Sequence, residues 1–274
     1  MRIDAHQHFW RIDRGDYGWL KDHPRIARDF LPADLEPLLN AAKIDKTVLV
    51  QAAPSEGETQ FLLELAAATP FVGAVVGWVD FEASDAPARI ARLCANEKLM
   101  GLRPMLQDIQ DEEWILRPGH ARVIDAMMRG RLRLDALIQP RHLPALAEFI
   151  DLYPDLAVVI DHGAKPDIAR DGLGVWTPYI RHIAKETNAY CKLSGLAGEA
   201  GSGWTAATLK PYFDVLLDAF GPQRLMRGSD WPVVNEAGDY AAWLGACVTL
   251  TAQLSPADRE AIFGGTAASF YGVT

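Results

Sequence analysis

Two histidines near the start of the chain, His6 and His8, have the residue type and spacing that best suit chemistry. They lie in a β-rich apolar stretch, and alternate residues of a strand point to the same side. Asp4, His6 and His8 are therefore expected to share one face. If that face looks into a barrel, the two imidazoles converge near its carboxyl-terminal mouth. The His-x-His pattern is short and also fits two histidines bonded within a polar barrel layer, so its context decides its meaning.

Other polar residues end further β-rich runs. His162 follows an apolar run, and Asp230 stands in the segment Gly-Ser-Asp-Trp-Pro, where a carboxylate can ligate a metal, take a proton from water, or do both. Arg103 could direct a fixed cation at substrate oxygens, and Gln139 could direct a neutral hydrogen-bond donor at them. Three of these residues also have an alternative structural role: His162 could be a core imidazole, Asp230 a helix N-cap, and Arg103 the partner of a barrel carboxylate in an ion pair. Asp161, on the opposite parity to His162, is expected to bond outward to loops.

The elements that must position these residues alternate regularly along the chain. The eight β-rich runs are 2–9, 46–53, 71–80, 99–105, 133–140, 157–164, 189–195 and 225–232. The main helical patterns are 31–43, 57–69, 85–97, 119–131, 141–153, 208–220 and 240–254. Such alternation predicts parallel βαβ units, and eight of them predict a closed (β/α)8 TIM barrel with its site at the carboxyl ends of the strands. The segment 255–271, which opens with Ser-Pro-Ala-Asp, is predicted to add one helix.

The predicted loops at the barrel mouth supply candidate substrate contacts. The loop 9–30 shows no helical periodicity and is rich in aromatic residues, as expected of a binding wall. The candidates from the loops and strand ends, beside Gln139, are Trp10, Tyr17, Trp19, Trp78, Lys165 and Trp231. Taken singly, a residue near a strand end is more often part of the packing than a ligand contact.

Composition limits the possible functions. The chain has 274 residues, 49% of them hydrophobic, which suits one barrel domain spanning 1–274. Its formal net charge of -9 argues against nucleic acid and anionic membranes as partners. Three separated cysteines without a Cys-x-x-Cys pair indicate reduced thiols rather than a disulfide framework. No apolar leader or membrane span is visible, so a cytoplasmic location is expected.

These motifs together resemble a known family. His-x-His on the first strand, Asp-His-x-x-x-Pro at 161–166 and Gly-Ser-Asp-Trp-Pro at 228–232 are similar to motifs of the amidohydrolase superfamily. The resemblance is closer to its Amidohydrolase-2 branch of sugar lactonases, of the L-fuconolactonase and L-rhamnonolactonase type. The segments 16–20, 75–80, 191–195 and 262–264 also look like that branch, so the resemblance covers essentially the whole chain.

The resemblance implies a carbohydrate-catabolic hydrolase for a small-molecule sugar lactone. The substrate would be an aldono-1,4- or 1,5-lactone, L-fuconolactone-like, opened to the aldonic acid. His6, His8 and Asp230 match metal ligands, and His162 matches the strand-six histidine. Arg103 and Gln139 stand where the superfamily's second metal would need a bridging lysine or glutamate and a histidine, so two metals are not expected. Two possibilities stay open: the site holds one divalent ion such as zinc, or it works without a metal.

The expected mechanism is attack of water on the ring ester. Asp230 takes the proton, and His6, His8 and His162, or a metal that they hold, stabilise the oxyanion while Arg103 orients the substrate. One alternative is a metal-dependent decarboxylase or hydratase of the same superfamily, against which the missing strand-five histidine counts. Another is a non-catalytic barrel that binds a sugar acid. The identity of the sugar and the oligomeric state are not encoded in these motifs.

Overall fold

Eight parallel strands follow one another around the molecule in chain order. The computed structural model describes all residues from 1 to 274. The strands are β1 (Ile3–Gln7), β2 (Lys46–Val50), β3 (Val72–Gly77), β4 (Leu99–Leu102), β5 (Arg133–Ala136), β6 (Val158–Ile160), β7 (Tyr190–Leu193) and β8 (Leu225–Arg227). The segment after β8 returns to β1 through hydrogen bonds from the His8 N–H to the Trp231 carbonyl (2.7 Å) and from the Asp230 N–H to the His6 carbonyl (2.8 Å). The strands form a nearly closed barrel, which confirms the predicted TIM-barrel fold.

Helices surround the barrel and connect its strands. They are α1 (Pro32–Ala42), α2 (Glu56–Ala68), α3 (Ala86–Leu93), α4 (Ala121–Arg129), α5 (Leu143–Leu152), α6 (Leu173–Glu186), α7 (Leu196–Ala200), α8 (Ala206–Phe220), α9 (Tyr240–Leu250), α10 (Pro256–Glu260) and α11 (Thr266–Tyr271). None of them combines the length and the apolar character needed to cross a membrane.

The barrel interior and the outer helical layer form two separate apolar clusters. The inner one contains small and β-branched side chains such as Ile3, Val48 and Val159 and is closed by α11. The predicted single terminal helix is wrong in one respect, because a π-helical turn, Ala261–Gly265, separates α10 from α11. Gly264 in this turn has a non-helical backbone and lies so near the start of β1 that a Cβ there would fall 3.0 Å from the Ile3 nitrogen.

Strand β1 contains an irregularity that the simple alternation of side chains does not predict. The register against β2 shifts between Asp4 and Gln7, so the parity of the strand changes before His6. Asp4 consequently leaves the face shared by His6 and His8. Its carboxylate accepts hydrogen bonds from the Ser229 N–H (2.7 Å) and the Tyr240 hydroxyl (2.9 Å), the latter on α9 outside the barrel. The expectation that Asp4 shares the histidine face is therefore wrong.

The loop between β1 and α1 folds over the mouth of the barrel. Trp10 and Phe30 exchange backbone hydrogen bonds of 3.0 Å in each direction, which fixes the base of the loop. Two short 3-10 turns, Ile12–Arg14 and Gly18–Asp22, fill the space between them. This arrangement agrees with the prediction of a long non-helical wall after the first strand.

Candidate active site

A cavity of about 580 Å³ lies where the carboxyl ends of the strands meet. Four of the five predicted catalytic residues line it: His8, Arg103, His162 and Asp230. The fifth, His6, is fully buried behind them and forms part of the floor. The structure therefore brings all five together at one point.

The two histidines of β1 are held in defined orientations. His8 Nδ1 lies 2.8 Å from the Val50 carbonyl oxygen, and because a carbonyl only accepts, Nδ1 donates this hydrogen bond. His6 Nε2 lies 3.2 Å from His8 Nε2. A Cβ at Gly228 would fall 2.6 Å from the His6 Cβ, so only glycine permits this approach of the chain after β8. Burial, followed by the charge of Lys192, lowers the pKa of His6 well below its usual value, so the ring is neutral.

Asp230 directs a carboxylate oxygen at three imidazoles. Its φ of 58° is left-handed, a conformation that Asp and Asn tolerate better than most residues. Oδ1 lies 3.2 Å from His8 Nε2, 3.7 Å from His6 Nε2 and 3.8 Å from His162 Nε2. Burial alone would raise the pKa of Asp230, but the three imidazoles outweigh it and hold that pKa well below its usual range. The carboxylate is therefore ionised at neutral pH.

His162 reaches the cavity through an unusual turn. The four residues 162–165 all have positive φ values, so the chain makes a left-handed turn directly after β6. His162 Nδ1 lies 2.8 Å from the Ser194 hydroxyl oxygen. The ring packs on Gly195, where a Cβ would fall 2.6 Å from the His162 Cγ. Burial lowers the pKa of His162 to about 4, so the imidazole is neutral near pH 7.

Arg103 is fixed between two strand ends. Its Nη1 lies 3.1 Å from Asp161 Oδ2, and its Nη2 donates to both oxygens of Gln51. Both the predicted place at the cavity and the alternative ion pair with a barrel carboxylate are therefore realised. The expectation that Asp161 bonds outward is wrong. Val159 faces the barrel interior, so the alternation of side chains along β6 directs Asp161 to the interior as well. His162 would point the other way, and it reaches the same side only because of the left-handed turn.

A network of buried charges, which was not predicted from the sequence, lies beneath the floor. Lys192 Nζ lies 2.5 Å from Asp135 Oδ2, 3.1 Å from Asp161 Oδ1 and 3.0 Å from His6 Nδ1. The Tyr271 hydroxyl donates to Asp135 Oδ2 at 2.7 Å. All these side chains are fully buried. The sequence does contain a sign of this network, because Asp135 in β5 and Lys192 in β7 are charged residues within largely apolar strands.

The donor set of His6, His8 and Asp230 fits a divalent metal ion. The three candidate ligand atoms are separated by 3.2, 3.2 and 3.7 Å. Ligands of a tetrahedral zinc ion with bonds of about 2.0–2.1 Å lie roughly 3.3 Å apart, so the spacing agrees. A second group, His6, Asp161 and His162, is also close together. It suits a metal less well, because Asp161 already pairs with two cationic side chains.

The walls of the cavity carry two of the predicted substrate contacts, Trp19 and Lys165. The Trp19 indole N–H donates to a backbone carbonyl at 3.0 Å, which fixes the ring. Lys165 Nζ donates to Gln107 Oε1 at 3.0 Å and lies 3.4 Å from Glu199 Oε1. Burial raises the pKa of Glu199. Gln107 and Glu199 were not predicted from the sequence, since the first lies in a short turn after β4, the second in the short helix α7, and neither belongs to a motif.

The other predicted contacts lie outside this cavity: Trp10, Tyr17, Trp78, Gln139 and Trp231. Trp10, Tyr17 and Trp231 are buried and pack against other aromatic rings behind the wall. The Gln139 side-chain oxygen accepts a hydrogen bond from a neighbouring arginine. Trp78 lines an adjacent cavity of about 480 Å³. The structure therefore does not place these five residues at the cavity, and three of them, Trp10, Tyr17 and Trp231, form the core of its wall.

Comparisons with known proteins match this chain from end to end. A family model described as Amidohydrolase (Amidohydro_2) matches residues 3–273. A curated L-fucono-1,5-lactonase of Burkholderia ambifaria is 47% identical over 99% of this chain and 95% of its own length. A second L-fucono-1,5-lactonase, from Burkholderia multivorans, is 39% identical over 99% of this chain and 96% of its own.

Solved structures agree with these sequence relatives. A crystal structure of an amidohydrolase from Burkholderia multivorans with bound HEPES superposes with a TM-score of 0.94 at 38% identity, covering 100% of both chains. A crystal structure of an amidohydrolase from the same organism with bound zinc gives the same TM-score, identity and coverage.

Proposed function

The chain belongs to the amidohydrolase family and is a sugar lactonase, and we propose that its substrate is L-fucono-1,5-lactone, which it opens to the aldonic acid. The observation that carries the proposal is the cluster at the cavity floor, where the ionised carboxylate of Asp230 faces three imidazoles. A ring ester needs a base for water and donors for one developing oxyanion, and this cluster offers both. The two lactonase relatives named above support the choice of sugar.

Asp230 acts as the general base. Its side chain is 11% exposed and lines the cavity, so a water molecule can reach Oδ1. The carboxylate takes a proton from this water as the oxygen attacks the lactone carbonyl carbon. When the ring C–O bond breaks, the same proton passes to the departing ring oxygen, which becomes a hydroxyl group. The products are the aldonic acid and an unchanged Asp230.

His162 and Arg103 stabilise the oxyanion. If the Ser194 hydroxyl donates to His162 Nδ1, the neutral ring presents its Nε2–H to the cavity. Arg103 contributes a fixed positive charge at the cavity edge. Donors that are already oriented toward the developing charge each contribute about 10²–10³ in turnover.

A divalent ion, which we propose to be zinc, would be held by His6, His8 and Asp230. When bound, it would supply a Lewis acid that polarises the lactone carbonyl. We further propose that the metal is dispensable, because the base and the oxyanion donors described above all belong to the chain itself. The relative with bound zinc supports the identity of the ion.

The walls of the cavity suit a deoxy sugar. The Lys165–Glu199 pair can both donate to and accept from adjacent sugar hydroxyls, and Trp19 offers an aromatic face to the apolar side of the ring. Apolar side chains, among them Met105 and Leu137, line the same cavity and suit the methyl group at C6 of a fuconolactone.

A panel of lactones tests the substrate. The purified protein is assayed by proton release with L-fucono-1,5-lactone, its 1,4 isomer, L-galactono-1,5-lactone and L-rhamnono-lactone, each corrected for spontaneous hydrolysis. We expect the highest kcat/KM for L-fucono-1,5-lactone. A tenfold preference for the 1,4 isomer or for the rhamnono compound would contradict the proposal.

Metal removal tests the role of zinc. Protein that has been treated with a chelator, and whose metal content has been measured, should retain activity within a few-fold of the untreated enzyme. Loss of activity that zinc alone restores would show that the metal is required.

A further inference from the structure

Two successive carbonyl groups just after β2 hold two side chains that line the cavity. The Gln51 carbonyl accepts a hydrogen bond from Arg103 Nη2, and the Gln51 side-chain amide returns one to the Arg103 carbonyl at 2.9 Å. The next carbonyl, that of Ala52, accepts from the Trp19 indole N–H at 3.0 Å. The proposed oxyanion donor and the aromatic wall of the cavity are therefore both anchored to one short stretch of backbone.

The sheet does not hold this stretch in place beyond its first residue. The Gln51 N–H donates to a carbonyl of β3 at 2.8 Å, and the ladder between the two strands ends there. The N–H groups of Ala52 and Ala53 lie past that point, and because both residues are buried, these groups need a partner. Both find it in Glu58: Ala52 donates to its two carboxylate oxygens at 3.0 and 3.1 Å, and Ala53 donates to Oε2 at 2.8 Å.

The carboxylate of Glu58 serves this stretch rather than its own helix. Glu58 stands in the first turn of α2, and Ser-Glu-Gly-Glu at 55–58 has the sequence of a capping box, in which the glutamate would accept from the serine N–H. Here the Ser55 N–H donates to the Ala53 carbonyl at 2.9 Å instead. The Glu58 side chain is fully buried, binds the stretch after β2, and does not line the cavity.

We propose that Glu58 is a positioning residue, which fixes the backbone of residues 51–53 and thereby holds Arg103 and Trp19 in place. It makes no hydrogen bond to either side chain, so it acts through that backbone. A single carboxylate thus sets both the proposed catalytic cation and the wall against which the sugar packs. The inference adds a residue to the proposed lactonase function, and its kinetic test rests on that function.

The contacts of Glu58 need a carboxylate rather than an amide. An ionised carboxylate has only acceptors, whereas an amide replaces one of the oxygens by an NH2 donor. In a Glu58→Gln variant this donor would face the Ala52 N–H at 3.0 or 3.1 Å, whichever way the amide is turned. Since glutamine has nearly the same volume, the variant loosens the stretch after β2 without leaving a cavity.

Kinetics of Glu58→Gln with L-fucono-1,5-lactone provide the first test. Burial raises the pKa of Glu58 to about 7, so the assays are run at about pH 8.5, where its carboxylate is ionised. We expect kcat to fall roughly tenfold or more and KM to rise roughly threefold or more, since a displacement of about 1 Å can cost about 10²-fold. A merely destabilised protein would lose active fraction but keep its KM.

Glu56→Gln is the matched control for these kinetics. It makes the same change in the same turn of α2, where Glu56 pairs with Arg89 in a partly exposed position. Its kcat and KM should equal those of the wild type. Equal constants for the two variants would overturn the proposal.

Exchange of the Trp19 indole hydrogen with water provides a second test that needs no turnover. In protein labelled with ¹⁵N-tryptophan, Trp19→Phe and Trp243→Phe identify these two signals among the eight tryptophans. In Glu58→Gln the Trp19 hydrogen should exchange about tenfold faster or more, because its acceptor is no longer fixed. Trp243, whose indole N–H donates to the Gly228 carbonyl at 2.7 Å, is the internal reference and should not change. An unchanged Trp19 rate, or the same increase at both, would contradict the proposal.

The two tests separate the role of Glu58 from the proposed function. A chain that hydrolyses no lactone, but in which Glu58→Gln accelerates exchange at Trp19 alone, would refute the function and leave the role of Glu58 intact. An active lactonase with an unchanged Trp19 rate in that variant would refute the role and leave the function intact. If Glu58→Gln does not fold, the wild-type amide hydrogens of Ala52 and Ala53 decide. They should exchange about 10²-fold more slowly than exposed loop amides, and equal rates would overturn the proposal.

Discussion

Replacement of Asp230 by Asn removes the proposed base, and with it the carboxylate of the proposed metal site, while it keeps nearly the same side-chain shape. Asn tolerates the left-handed φ of 58° as well as Asp does, and the backbone bond to His6 does not involve the side chain. The Asn amide has both a donor and an acceptor, so it can keep a hydrogen bond with His8 Nε2, which lies 3.2 Å from the present carboxylate oxygen. We therefore expect a folded protein in which the cavity keeps its shape.

The expected loss follows from the role of the carboxylate. A general base contributes about 10²–10⁴ in rate, which corresponds to roughly 2.7–5.4 kcal/mol in activation free energy. His162 and Arg103 remain in place, so hydrolysis should stay measurably above the spontaneous rate. Since the carboxylate acts mainly in the transition state, KM should change by less than about threefold while kcat falls.

The assay is proton release from L-fucono-1,5-lactone, with circular dichroism and urea unfolding to establish the fold. Asp218→Asn is the matched control, because it makes the same change on the exposed face of α8, where Asp218 pairs only with Arg181. Its kcat should equal that of the wild type. If folded Asp230→Asn turned over within threefold of the wild type, Asp230 could not be the base.

Three further predictions rest on other residues. Gly195→Ala should lower kcat at least tenfold and stability by about 1–3 kcal/mol, because its Cβ would fall 2.6 Å from the His162 ring. Its control, Gly245→Ala on α9, has open space around it and should leave kcat unchanged and raise stability by roughly 0.5–1 kcal/mol, since glycine is unfavourable within a helix. Equal effects of the two substitutions on kcat and on urea unfolding would contradict this prediction. Burial raises the pKa of Glu58 from 4.5 to about 7, so the folded state binds more protons than the unfolded state between these values. The free energy of unfolding should therefore fall by up to about 3 kcal/mol as pH rises through this window, and Glu58→Gln should remove that slope in urea titrations. Lys165→Gln should raise KM roughly 10–100-fold with a smaller change in kcat, and an unchanged KM would exclude substrate contact.

The fold was predictable because its signals are local. Strand and helix periodicities repeat along the chain, and eight alternations leave few architectures other than a barrel. The strands are shorter than predicted, as in β8, which ends at Arg227 rather than at residue 232. Residues after a strand belong to the turns that carry the site, and apolar composition alone does not separate them from the strand.

The details of the site were less predictable, because they depend on single backbone irregularities. The bulge in β1 separates Asp4 from His6, and the left-handed turn brings His162 beside Asp161. Neither leaves a clear mark in residue types. The aromatic loop shows a different limit, since Trp10 and Trp19 are equally plausible contacts by sequence, yet only Trp19 lines the cavity. Which ring faces inward depends on packing among residues distant in sequence.

The buried charges beneath the floor show why the site cannot be understood from its lining alone. Removing a charged group from water costs several kcal/mol, and apolar residues of similar volume often give a more stable core. Lys192 on β7, Asp135 on β5 and Asp161 directly after β6 are nevertheless fully buried. Their outward contacts reach His6 and Arg103, which are both predicted catalytic groups. The charges of the barrel interior therefore lie where they can orient the proposed catalytic groups, a role that apolar residues of similar volume could not take.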